Sequence, residues 1–201
     1  MNASISQTNT IPGTLLRPVD LGRTIAIVVG FSLLTALSAQ ISFHLPFTPV
    51  PITAQTFAVL LTGAVLGSRL GAITMFAYLA EGASGLPFFS NGAGGPAYLL
   101  STVTLGYLLS YPAAAFVTGW LAERGWDRKP ITAAMAMAIG SVVILLSGWA
   151  WFAYSTGNPK AAFVLGVAPF LVGDVIKIAL AAAALPLSWR LVKTKRSGNQ
   201  E

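Results

Sequence analysis

The sequence predicts an all-α integral membrane protein of six transmembrane helices, and three observations carry that expectation. Hydrophobic residues make up 55% of the 201 residues and charged ones only 9%, against about 25% charged in a soluble domain. Six apolar stretches follow one another along the chain, and a spanning helix needs about 20 residues. Lys and Arg gather in alternate connections between those stretches, as the positive-inside rule asks.

The mean hydropathy is +0.72, the formal net charge +6 and the pI near 10.0. In a soluble chain such a charge would suggest nucleic acid, because clustered cations neutralise phosphates. Here the cations flank apolar stretches, so no nucleic-acid partner is expected. With no cysteine and one histidine, His44, neither a disulfide nor a metal site is expected. No cofactor and no catalytic residue are expected either.

Residues 1–22 are rich in Ser, Thr and Asn without a period and read as a disordered cytoplasmic tail. The membrane domain is expected over 23–192 and a basic cytoplasmic tail over 193–201. The first apolar stretch, 24–45, follows Arg17 and Arg23, and its Ala36-Leu37-Ser38-Ala39 has the form of a signal-peptide cleavage site. Because the run continues past that site without a polar break, it reads as a true span. The further stretches are 52–68, 70–80, 96–123, 131–154 and 161–192.

With the first span directed outward, the inner segments hold Arg17, Arg23, Arg69, Arg124, Arg128, Lys129, Arg190, Lys193, Lys195 and Arg196. The outer loops hold Lys160 alone, and Lys177 lies inside a span. Both termini are therefore expected in the cytoplasm and the chain in the cell membrane. Trp120, Trp126 and Trp189 fall at inner ends and Trp149 and Trp151 near an outer end, the placement of an aromatic belt.

Two lengths depart from simple spans. The third stretch has about 11 apolar residues before Glu81, or ~16 Å of helix against a hydrocarbon core of ~30 Å. Either the following segment, 82–95, dips into the protein, or the second and third helices tilt around a cavity, where irregular backbone is tolerated. The last stretch of 32 residues would be ~48 Å. Pro169, acceptable in a first turn, starts a helix that ends near Arg190 and leaves 161–168 as an outer connection or short surface helix.

Irregular outer loops are expected to form a substrate pocket. The segment from Pro46 to Thr53 carries three prolines, which preset φ and remove donors. That stiff loop offers Phe47, Thr48 and Val50 to a ligand at low entropic cost, with Gln55 one turn further as donor and acceptor. As a plain connector it would serve equally well. The segment from Glu81 to Pro96 combines glycines, which allow close backbone approach, with Leu86, Phe88 and Phe89, and reads as a lid or pocket floor. Gly85, Phe89 and Asn91 are its candidate contacts.

The sharpest signal is Gly173-Asp174-Val175-Ile176-Lys177. Asp174 and Lys177 share a helix face, and each charge costs at least ~2.5–3.5 kcal/mol at a bilayer centre. Ionisable groups at such depth are functional candidates, although an ion pair that only offsets its own burial is the plainer alternative. His44 and Glu81 read as interfacial and snorkelling residues.

Phe47-Thr48-Pro49-Val50-Pro51-Ile52-Thr53-Ala54-Gln55, Gly85-Leu86-Pro87, the glycine pairs and Gly173-Asp174-x-x-Lys177 resemble the BioY family in consistent order over about residues 25–190. That family comprises the biotin-specific substrate-binding (S) components of energy-coupling-factor vitamin transporters. The resemblance implies six helices, a biotin pocket near the outer face, and partners in a transmembrane coupling (T) subunit and two ABC ATPase subunits. Where many relatives have Gly-Pro-Thr-x-Gly-Tyr-Leu, this chain has Thr102-Val103-Thr104-Leu105-Gly106-Tyr107-Leu108. Tyr107 joins the candidate contacts, and the missing Gly-Pro puts the local backbone in question.

The chain has no Gly-x-x-x-x-Gly-Lys-Ser/Thr loop to cradle phosphates, so ATP hydrolysis must come from other subunits. Competing readings are an S component for another vitamin and a stand-alone carrier of a small organic solute. An intramembrane enzyme is disfavoured, since neither a Ser/His dyad nor a metal cluster accompanies Asp174 and Lys177.

Overall fold

The computed structural model describes residues 21–197. Most of the expected N-terminal tail and the end of the basic tail lie outside them. The chain opens with α1 (Leu21–Gln40), whose end leads into a two-residue strand pair, β1 (Ser42–Phe43) and β2 (Ile52–Thr53). The strands run antiparallel with Ser42 opposite Thr53, so the proline-rich loop returns on itself above the helices.

Helices α2 (Gln55–Leu66) and α3 (Ser68–Ala83) follow, joined at Gly67. Their 12 and 16 residues amount to ~18 and ~24 Å, both short of a ~30 Å core. After a loop with a 3₁₀ turn (Ser90–Gly92) come α4 (Pro96–Ser101) and α5 (Leu105–Glu123). A second 3₁₀ turn (Trp126–Arg128) leads to α6 (Pro130–Thr156), then α7 (Pro159–Gly166) and α8 (Ala168–Ser197). Among the described residues, α1, α5, α6 and the Pro159–Ser188 stretch are long and apolar enough to cross a membrane.

Several boundaries differ from the sequence expectation: the first helix ends at Gln40 and the last runs on to Ser197, and two further differences lie nearer the cavity. The stretch 96–123 is not one helix, because Thr102 is extended (φ −77°, ψ 140°) and α4 ends there. The Thr102 hydroxyl accepts from Thr104 N at 3.2 Å and pairs with Thr104 Oγ1 at 2.8 Å. Such local side-chain bonds compete with the helical ladder, and they fall where relatives carry Gly-Pro. At the third span, α3 continues past Glu81, whose carboxylate accepts from the buried Ser32 hydroxyl on α1. The short helix expected before Pro169 is present as α7, with Asn158 capping it through Ala161 N at 3.0 Å.

Helix α5 is central, packed against α2, α3 and α6. Small residues let these backbones approach, as is common between membrane helices. A Cβ on Gly63 would stand 2.3 Å from Ala115 O, and one on Gly119 2.4 Å from Gly67 C. The outward faces are apolar: Leu21, Ile25, Leu37, Val172, Val175 and Leu180 are all exposed. Patches of that extent suit lipid rather than water.

Candidate functional site

A cavity lies between the helices, its void about 590 Å³ when the open solvent at its mouth is counted. The walls come from the proline loop, the segment after α3, and helices α2, α4, α5, α6 and α8.

The polar wall is built on α8. Its outward stripe holds Val172, Val175 and Ile176, so Asp174 and Lys177, one turn apart, turn toward the bundle. Lys177 Nζ stands 3.6 Å from Asp174 Oδ1. It donates to Thr53 O at 2.9 Å and Thr56 Oγ1 at 2.8 Å, tying α8 to β2 and α2. The other oxygen of Asp174 accepts from the Ser141 hydroxyl on α6. A smaller cavity of about 210 Å³ reaches the same four side chains, Thr56, Ser141, Asp174 and Lys177, so the charged pair is bordered by two voids.

Gln55, at the start of α2, donates to the Tyr78 hydroxyl, which donates in turn to Phe88 O at 2.9 Å. That relay fixes both the amide and the loop above it. Phe89 is buried, edge-on to Tyr78 with centroids 5.8 Å apart and stacked on Tyr98 at 5.8 Å. Gly82 makes room for it, since a Cβ there would meet the ring at 2.4 Å. Tyr107 donates from its hydroxyl to Gly166 O at 2.5 Å, its ring seated against Gly148.

Of the ten candidate contacts, Val50, Gln55, Phe89, Tyr107, Asp174 and Lys177 line the cavity. The other four do not. Phe47 is 59% exposed and faces away. Thr48 spends its hydroxyl on Leu165 O at 2.6 Å and on Val50 N at 3.1 Å, bracing the loop. Gly85 is a turn residue at φ +108°. Asn91, with φ 61°, directs its side chain to Ser42 Oγ at 2.9 Å and His44 Nε2 at 3.1 Å.

The sequence does not single out Thr56, Ser90, Tyr98, Tyr111 or Ser141, which also line the cavity. The available signal was polarity within a span: Ser141 and Tyr111 are hydrogen-bonding side chains inside apolar runs, and each needs a partner there.

A helical membrane protein with a polar cluster facing a cavity between its helices is the class that this fold and site define. The chain matches the BioY family over residues 8–194. It is 42% identical over 159 residues to the probable biotin transporter BioY of Pyrococcus horikoshii, covering 79% of this chain and 91% of that one. To the biotin transporter BioY of Rhizobium etli it is 38% identical, covering 78% and 84%. The crystal structure of the S-component for biotin from an ECF-type ABC transporter shares the fold, with a TM-score of 0.77 at 22% identity over 89% of this chain and 95% of that one. The chain belongs to the BioY family.

Proposed function

We propose that this chain captures biotin as the S subunit of an energy-coupling-factor transporter, and that the cavity of about 590 Å³ is its biotin site. The observation that carries the reading is the Asp174–Lys177 pair on a cavity wall that is otherwise largely aromatic and aliphatic. The ureido group of biotin offers two N–H donors and one acceptor, complementary to a carboxylate and an ammonium. Its thioether ring and valeryl chain suit Val50, Phe89 and Tyr107. Phe47, Thr48, Gly85 and Asn91 shape the loops around the mouth.

In this reading the short α2 and α3 count as spans packed within the bundle, giving six, with both termini in the cytoplasm and the cavity toward the outside. The ten-to-one division of basic residues between the two sides supports that orientation. Uptake then needs a T subunit and two ABC ATPases, because this chain has no phosphate-cradling loop of its own.

Isothermal titration of the purified chain with a vitamin panel tests the function, and biotin is the expected tight ligand. A hydrogen bond to a charged group contributes ~1.5–3 kcal/mol, so Asp174→Asn should weaken biotin roughly 10- to 150-fold. Lys177→Ala should weaken it as much and also lower thermal stability, since it releases Thr53 and Thr56. Wild-type biotin affinity in both variants would place the ligand elsewhere.

A further inference from the structure

Tyr111 presents an unengaged hydroxyl to the cavity that it lines. Its ring is buried, at 3% exposure, and packs against Tyr78 with centroids 6.4 Å apart. The hydroxyl makes no hydrogen bond to a described residue. Ser90 and Thr118 also lack a partner, but their oxygens are sealed in protein, whereas that of Tyr111 keeps access to the cavity. Its neighbours are engaged: Tyr78 donates to Phe88 O at 2.9 Å and Tyr107 to Gly166 O at 2.5 Å. A hydroxyl inside an apolar span is costly unless something pairs with it. Ring packing fixes this oxygen, and its proton stays free to turn toward a ligand.

Its depth decides which part of a ligand it meets. Helices α5 and α6 run antiparallel with their backbones in contact. A Cβ on Gly106 would stand 2.5 Å from Ser147 O, and one on Gly140 3.6 Å from Ala114 O. Ser141, which donates to Asp174, is therefore level with about Ala114, ~4.5 Å further along α5 than Tyr111. Side chains lean toward the start of their helix, which lifts the Tyr111 hydroxyl toward the loops. It thus stands roughly one turn, ~5 Å, above the charged cluster, on a wall shared with Leu108, Ile144 and Leu145.

In biotin the thioether sulfur lies across the fused bicycle from the urea carbonyl, at a distance of ~5 Å, close to the rise of one helical turn. The carboxylate is a whole valeryl chain further on. With the urea at Asp174 and Lys177, the sulfur falls at the level of Tyr111. Sulfur is a weak acceptor, and an apolar surround strengthens such a bond.

We propose that the Tyr111 hydroxyl donates to the thioether sulfur of bound biotin and so separates biotin from sulfur-free analogues, an assignment that rests on the biotin reading above.

Titration of the full chain with biotin and with desthiobiotin, whose two C–S bonds are replaced by C–H, tests this. Tyr111→Phe keeps the ring and removes only the oxygen. It should raise the Kd for biotin about fivefold and that for desthiobiotin by less than about twofold. Oxybiotin, with an ether oxygen in place of the sulfur, should lose at least as much as biotin. The ligand-free unfolding midpoint should not fall, since the lost oxygen has no partner in the protein. Equal losses for biotin and desthiobiotin, or a lower ligand-free midpoint, would overturn the assignment. A wild-type chain that fails to bind biotin at all would remove the biotin reading and this one with it. Wild-type biotin binding with an unchanged Kd in Tyr111→Phe would remove this one alone.

Discussion

The two ends of the bundle solve the same problem, how to finish helices in an apolar surround, in opposite ways. At the closed end, α2 turns into α3 at Gly67, and α5 lies so near that Gly119 has no room for a Cβ. The Glu123 carboxylate at the end of α5 accepts from Ser68 N at 2.7 Å and from its hydroxyl at 3.0 Å. One side chain thus satisfies one free N–H in the first turn of α3 and puts negative charge where a helix N-terminus favours it. At the cavity end, the proline loop and the segment after α3 share the wall with the helices. Backbone carbonyls at the end of α7 and between α4 and α5 are met singly by distant side chains: Thr48 to Leu165, Tyr107 to Gly166, and Trp151 Nε1 to Thr102 at 3.3 Å. Backbone thus meets backbone at the first end, and isolated side-chain hydrogen bonds brace the second.

The largest effect that would break this comparison is at the closed end. In Gly119→Val, the new Cβ would lie 2.4 Å from Gly67 C and 2.5 Å from Ser68 N, backbone atoms that cannot swing aside. Overpacking costs ~1–3 kcal/mol and sometimes more, and loss of the Glu123 cap would add to it. Thermal unfolding in detergent should show a large drop in midpoint, while the protein that remains folded binds biotin with its original Kd. A wild-type midpoint would mean that the glycine contacts are not where stability resides.

The fold was legible in the sequence wherever a physical penalty left a mark. Charges are scarce in spans, so Asp174 and Lys177 declared themselves, and Pro169 marked the start of α8 to within one residue. What the sequence concealed were matters of partnership. Nothing local says that Glu81 will meet Ser32, 49 residues earlier, so α3 looked shorter than it is. The Thr102–Thr104 break looked helical because only the Oγ1 contacts to neighbouring groups favour the extended form. In the proline loop, stiffness was readable but facing was not: Val50 turns inward at 3% exposure and Phe47 outward. Asn91 looked like a ligand contact, yet it occupies a left-handed turn, a conformation Asn tolerates better than most residues. Ser141 and Tyr111, being neutral, passed as filler.

An intermediate effect would sharpen the comparison at the cavity end. A Cβ on Gly148 would fall 2.1 Å from Tyr107 Cε1, and the Tyr107 hydroxyl is held at 2.5 Å by Gly166 O. In Gly148→Ala the ring must leave its place or break that bond, and either outcome moves a cavity wall. Biotin affinity should fall roughly tenfold, about 1.4 kcal/mol, with a smaller drop in midpoint than Gly119→Val produces. The reverse pattern, a collapsed midpoint with unchanged Kd, would make the cavity end a centre of stability too.

The smallest expected effect belongs to Gln40, and it separates holding a loop from holding a ligand. At the end of α1 its Nε2 lies 3.1 Å from Phe89 O and 3.3 Å from Pro87 O, and its Oε1 accepts from Gly92 N at 2.9 Å. One amide therefore fastens both strands of the loop that carries Phe89 and Ser90, yet it does not line the cavity. Gln40 is exposed, and the groups it releases can be met by water, so each lost bond should cost only ~0.5–1.5 kcal/mol. Gln40→Ala should leave the midpoint within a few degrees of wild type. The loop would open more often, so biotin should dissociate several-fold faster with little change in its association rate, since most affinity differences among variants of one site appear in koff. Stopped-flow displacement of a fluorescent biotin derivative would read both rates. An unchanged koff would show that Phe89 packing alone keeps the loop closed.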